Sequence, residues 1–142
     1  MAESVLLVDD EEEFVETLAE RMRARGLRAD TAYNGDDAIK RASEHQYDAF
    51  VLDLAMPGMD GMGVLRHLLK ENPDRQVILL TGQGTVKAAK EATKLGAMDF
   101  LEKPTEIDTL IELIKEARAN RVALELKNSE DKIADIMRRR GW

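Results

Sequence analysis

Residues Phe50–Gly61 read FVLDLAMPGMDG. Phe50, Val51, Leu52 and Leu54 form a nearly continuous apolar run, the signature of a strand covered on both faces. Asp53 interrupts the run near its end, and Pro57-Gly58 turns the chain immediately afterwards. Why a buried strand carries a carboxylate there decides how the rest of the chain is read.

Four other short apolar runs flank it: VLLVDD (5–10), LRADTAY (27–33), VILLTG (77–82) and DFLEKP (99–104), with the central one spanning 49–54. The runs at 5–10, 49–54 and 77–82 are rich in Val, Ile and Leu. The run at 27–33 alternates more and reads as an edge strand. Helical patterns fall between them, over Glu11–Arg25, Gly35–His45, Gly61–Glu71, Thr85–Lys94 and from Glu106 onward. The first carries Phe14, Leu18 and Met22 on one stripe and stops at Gly26. The third carries Val64, Leu65, Leu68 and Leu69 and stops before Pro73. Gly96 closes the fourth.

Strict alternation of strand and helix, with short connections, predicts right-handed crossovers and an α/β sandwich. No Gly-x-Gly-x-x-Gly follows the first strand, which argues against a dinucleotide site. The expected fold is a (βα)5 flavodoxin-like three-layer sandwich. Its five-stranded parallel sheet takes the order 2-1-3-4-5, and ligands sit beyond the C-terminal ends of strands one and three. The fifth helix is expected to run past a domain edge near Ala119, giving a domain over 1–119 and a helical extension over 120–142. Neither Gly nor Pro interrupts Glu106–Arg140, and Val122, Leu126, Ser129, Ile133 and Ile136 follow 4-3-4-3 spacing over little more than two heptads.

Composition bounds the rest. The 142 residues carry 44% hydrophobic and 35% charged side chains, no cysteine and a net charge of -7. No window approaches the length of a membrane span, and the N-terminus has no basic leader, so a cytoplasmic protein without a membrane partner is expected. The negative charge argues against direct nucleic-acid binding. Residues 120–142 hold six Lys or Arg and four Asp or Glu, net +2, leaving -9 on the remainder.

In a parallel sheet all strand ends share one edge. Asp9-Asp10, Asp53, Thr81-Gly82 and Lys103-Pro104 then converge on one crevice. Clustered carboxylates repel one another, and a hard divalent cation removes that repulsion. Mg²⁺ suits the set, because it is usually held by a few carboxylates, waters and phosphate oxygens. Asp9, Asp10 and Asp53 would supply part of its shell, with a backbone carbonyl after the third strand. Asp53 is the candidate nucleophile toward a phosphoryl donor. Lys103 and the Thr81 hydroxyl would neutralise the equatorial oxygens, and Gly82 would let the phosphate approach the backbone.

These segments resemble a known family. VLLVDDEEEF, FVLDLAMPGMDG, ILLTGQG and GAMDFLEKP are similar, in order, to the acidic pair, phosphoacceptor strand, switch-hydroxyl strand and lysine strand of response regulator receiver domains in two-component signalling. The resemblance covers roughly Ser4 to Ala119. It implies that Asp53 takes a phosphoryl group from a sensor histidine kinase or phosphotransfer protein with Mg²⁺ on Asp9, Asp10 and Asp53. It also implies that Thr81 and Phe100 switch a face built from the fourth helix, fifth strand and fifth helix. The segment from Thr81 to Pro104 resembles, more loosely, receivers attached to sigma-54-dependent activators. Self-catalysed phosphoryl acceptance and hydrolysis would be the only chemistry, and the output a contact with a downstream protein effector. With no output domain following, a stand-alone, or nearly stand-alone, receiver is expected.

The chain departs from the family at three places. Ala55 and Gln83 occupy positions that tune phosphoryl lifetime, and Phe100 lacks the hydroxyl of the common tyrosine. The plainer readings are that Asp9 and Asp10 cap a helix, that Thr81 is a turn residue and that Lys103 is a surface lysine. His45 and His67 read as surface or packing residues, and Met56, Met59 and Met62 as packing. The tail stripe fits a solvated extension, a homodimer contact or another docking partner. An aspartate-nucleophile phosphohydrolase would carry an acid where Ala55 stands. A phosphate-independent module would not need the intact set, and a flavin domain would need a Ser/Thr/Gly-rich loop after the first strand.

Overall fold

The computed structural model describes residues 2–54, 60–82 and 86–142. Strands β1 (Ser4–Val8), β2 (Arg28–Ala32), β3 (Ala49–Leu52), β4 (Val77–Thr81) and β5 (Asp99–Glu102) alternate with five helices. These are α1 (Glu12–Ala24), α2 (Gly35–Glu44), α3 (Gly61–Glu71), α4 (Val86–Lys94) and α5 (Ile107–Arg139). The sheet is parallel throughout and ordered β2-β1-β3-β4-β5. Fold class and strand order are those the alternation predicts, and β2 is an edge. Ala55, Met56, Met59, Gln83 and Thr85 lie outside the described residues.

Side-chain alternation splits the core into two layers. Leu6, Val8, Phe50, Leu52 and Leu79 face Ala38 of α2, Leu65 and Leu68 of α3, and Ala89 and Ala92 of α4. Val5, Leu7, Val51, Ile78 and Leu80 face Val15, Ala19 and Met22 of α1, and Leu110, Ile114 and Ala117 of α5. A strand buried on both faces has no polar side to show, which explains the unbroken apolar runs. The residues that α4 buries, Ala89 and Ala92, are both alanines. Arg75 knits the far ends of α2 and α3, donating to the carbonyls of Leu68 (3.0 Å) and Ala42 (3.2 Å) while its guanidinium lies over the Phe50 ring.

Helix starts follow their chemistry. Asn34 caps α2 by accepting from the Asp37 N–H, and Asp60 caps α3 by accepting from the Gly63 N–H. Gly61 has no room for a side chain: a Cβ there would sit 2.9 Å from Leu54 Cα and 3.0 Å from the Asp53 carbonyl oxygen. The start of α3 therefore presses directly on the backbone that carries Asp53.

α5 continues without a break to Arg139. Beyond Ala117 it is bound to the body by polar contacts. Arg121 pairs with the buried Asp48, its Nε at 2.8 Å and a terminal nitrogen at 2.6 Å from Oδ1. Asp48 also accepts the Ser4 N–H at 2.8 Å. Asn120 reaches Gln76, and Asn128 reaches Asp74. Leu126 and Ile133 on the far stripe are about 60% exposed (61% and 60%), in contrast to the packed face upstream.

Candidate phosphoacceptor site

Strand register builds the site. Val8 and Leu52 are paired across β1 and β3, so the residues that follow, Asp9 and Asp53, emerge side by side. Backbone bonds hold both in place: the Asp9 N–H donates to the Ala32 carbonyl and the Asp53 N–H to the Val8 carbonyl, each at 3.1 Å. Both carboxylates are buried, 4% and 7% exposed. By alternation they share the sheet face of Leu7 and Val51, which is the face covered by α1 and α5.

Lys103, directly after β5, answers them. Its backbone N–H donates to the Thr81 carbonyl at 2.6 Å, and the peptide to Pro104 is cis. Its ammonium donates to Asp53 Oδ2 at 2.9 Å and lies 3.4 Å from Asp9 Oδ2. Burial works to lower the Lys103 value, but the bond and charge of Asp53, then those of Asp9, outweigh it and hold the ammonium above the ordinary lysine range. Burial pushes the Asp9 carboxyl up. The Glu11 N–H, which donates to its Oδ1 at 3.0 Å, and the Lys103 charge oppose that rise, while the Asp53 charge adds to it.

The other expected residues are arranged differently. Asp10 is half-buried beside Asp9. Thr81 is fully buried, and its hydroxyl makes a long bond (3.4 Å) to the Leu101 carbonyl. Phe100 is partly buried and packs on the core layer of α2, α3 and α4. Thr81 belongs by alternation to that same side of the sheet, so these two residues share a layer that the carboxylates do not. At Gly82 a Cβ would meet nothing within 4 Å, so the backbone there is open to approach. His45 is exposed, and His67 lies 3.4 Å from Glu71 on the surface of α3.

The donor set suits Mg²⁺. Two buried carboxylates share one ammonium, leaving a net negative charge of hard oxygens that repel each other. Among the described residues no three acidic or imidazole side chains close into a cage. Mg²⁺ does not need one, since it keeps several waters and takes one or two protein carboxylates.

One neighbour was not singled out as a site residue in the sequence. Phe14, on the expected core stripe of α1, is 37% exposed, and its ring centroid lies 4.5 Å from Lys103 Nζ. Its spacing alone reads as core; only the fold shows that its turn of α1 faces the lysine.

With this geometry in view, the comparisons with known proteins are specific. Residues 5–115 match the response regulator receiver domain family, and the chain belongs to it. A response regulator described as NtrX-like from Rickettsia felis is 38% identical over 115 residues, 80% of this chain and 24% of the relative. The transcriptional regulatory protein ZraR of Salmonella typhimurium is 34% identical over 116 residues, 82% of this chain and 26% of the relative. The chain thus spans about a quarter of the length of these relatives. Among solved structures, a receiver domain protein from Clostridium thermocellum superposes with a TM-score of 0.81 at 29% identity, covering 86% of this chain and 98% of its own. NtrX from Brucella abortus gives 0.82 at 29% identity, covering 94% of this chain and 30% of its own. The chain is a receiver domain of two-component response regulators, a signalling domain rather than a conventional enzyme. No helix among the described residues is long and apolar enough to cross a membrane.

Proposed function

We propose that Asp53 accepts a phosphoryl group from the phosphohistidine of a sensor histidine kinase or phosphotransfer protein. The observation that carries this reading is the pairing of Asp53 and Asp9 on the single Lys103 ammonium at the C-terminal edge of the sheet. An Asp53 oxygen attacks phosphorus, the P–N bond breaks, and the imidazole leaves with the electron pair and takes up a proton. Lys103, already 2.9 Å from Asp53, is placed to follow the transferred oxygens without a long excursion. Asp9, Asp10 and Asp53 would hold Mg²⁺, which supplies charge neutralisation on the phosphoryl oxygens when bound. Gly82 admits the phosphate to the backbone.

In this reading the phosphate draws the Thr81 hydroxyl from its long bond to Leu101, and Phe100, in the same layer, repacks. The α4–β5–α5 face then changes its affinity for a protein partner, and the partner biases phosphorylation reciprocally. Slow self-hydrolysis resets the state. The reading places the domain in the cytoplasm, with the receiver over 1–119 and a helical extension over 120–142. A second copy of the chain, bound through that helix or the α4–β5–α5 face, is one such partner.

The test is intact-mass measurement after incubation with Mg²⁺ and acetyl phosphate, with Asp53→Asn alongside. Gain of one phosphoryl group by the wild type alone supports the reading. No gain, under conditions that modify a control receiver, contradicts it.

A further inference from the structure

The Lys103 side chain is held on two sides. Asp53 and Asp9 take its ammonium on one side, and the Phe14 ring, with its centroid 4.5 Å from Nζ, covers another. We propose that Phe14 is a positioning residue for phosphoryl transfer: its ring fixes the Lys103 ammonium against the acceptor carboxylate by a cation–π contact. The inference rests on the phosphoacceptor reading of Asp53.

Three observations carry it. First, Phe14 belongs to neither buried core cluster, although it is a large apolar residue on the sheetward helix α1. At 37% exposure its ring is only partly covered by the body of the protein. Second, its ring stands between two spaces. A small gap beneath it is bounded by Asp9, Asp53, Val51 and Leu80, and an open groove of about 730 Å³ beyond it is bounded by Lys103, Pro104, Ile107 and Leu110. Phe14 is thus the wall between the carboxylates and that groove. Third, a lysine has a flexible four-carbon stem and its charge is a point, so its carboxylate partners alone do not fix its direction. When a phosphoryl group arrives, Asp53 Oδ2 ceases to be its partner. The Phe14 face then limits the directions the ammonium can take as it turns to the phosphoryl oxygens. A preorganised donor lowers the barrier because it need not reorient as charge develops.

A cation–π contact at a partly exposed site is worth a factor of about five. Phe14→Leu keeps bulk and loses the ring face, whereas Phe14→Tyr keeps the face. Phosphorylation by acetyl phosphate at saturating Mg²⁺ is expected to slow by about fivefold in Phe14→Leu and to stay near wild type in Phe14→Tyr. Mg²⁺ affinity should be the same in all three. A readout that needs no phosphate comes from NMR of the unphosphorylated protein: the Lys103 ε-protons should show a ring-current shift in wild type and Phe14→Tyr that is lost in Phe14→Leu. Equal rates in Phe14→Leu and wild type, or no ring-current shift in wild type, would overturn the proposal while leaving the acceptor reading intact. A ring-current shift in a wild type that takes no phosphoryl group defeats the acceptor reading and the positioning role together.

Discussion

The Lys103 ammonium lies 2.9 Å from Asp53 Oδ2, joining the end of β5 to the end of β3 across the intervening strand β4. A divalent cation bound at Asp9 and Asp53 would therefore compete with Lys103 for the same negative charge.

Lys103→Met should separate these roles. Removing the ammonium takes away a donor aimed at the phosphoryl oxygens, and transfer from acetyl phosphate should fall by about a hundredfold. The same change removes a positive charge near the cation site, so Mg²⁺ should bind more tightly by on the order of 1 kcal/mol. Titration calorimetry with Mg²⁺ checks the second effect independently of chemistry. Unchanged or weaker Mg²⁺ binding would contradict the shared-charge geometry.

Asp9 gives a stability prediction with a definite sign. Its folded value lies above the ordinary carboxylate range, so the folded state holds the proton more readily than the unfolded chain. Ionised Asp9 therefore costs stability at neutral pH, and the cost disappears as pH falls through the raised value. Asp9→Asn, which keeps an oxygen for the Glu11 N–H, should raise Tm in Mg²⁺-free buffer at neutral pH, and the gain should shrink toward acid. Adding Mg²⁺ should stabilise the wild type and much less the variant.

Gly61 ties α3 to the acceptor. A methyl group there meets Leu54 Cα and the Asp53 carbonyl at or below 3.0 Å, both of them backbone atoms that cannot turn aside. Gly61→Ala should destabilise the domain by about 2 kcal/mol. Because Asp53 moves with its own carbonyl, phosphorylation should slow as well. Denaturant melts and phosphorylation rates measured on the same sample check both.

The body's grip on α5 predicts where a truncation becomes harmful. Asp48 is 4% exposed and depends on Arg121 for its counter-charge. Ending the chain after Ala119 leaves that carboxylate without its cation and should lower Tm by about 5–10 °C. Ending it after Asn128 spares every contact between α5 and the body described above and should leave Tm nearly unchanged. Arg121→Ala in the full chain should reproduce the first result.

The sheet was legible because its strands are covered on both faces. VLLV, AFVL and VILLT carry no polar residue until the strand ends, so the acids, hydroxyl and lysine that follow stand out as a set. Once the topology is parallel, the register brings Asp9 and Asp53 together without further information. What sequence could not give was direction. Thr81 and Lys103 read alike as strand-ending polar residues, yet alternation sends Thr81 to the layer of Phe100 and Lys103 to the layer of α1. Phe14 was hidden for a related reason. Its i, i+4, i+8 spacing with Leu18 and Met22 marks a helix face, and Met22 is indeed buried, but the stripe runs off the core toward the site before it reaches Phe14. Arg121 offered no periodic signal, since one basic residue on a long polar helix is matched to Asp48 only by the fold.

The most direct measurement is to locate the phosphoryl group itself. After Mg²⁺-dependent phosphorylation, borohydride reduction converts an acyl phosphate to homoserine, which peptide mass spectrometry places on the sequence. The geometry predicts homoserine at position 53 and nowhere else. Reduction at position 9 or 10, or a phosphorylated protein with no homoserine at 53, would contradict it.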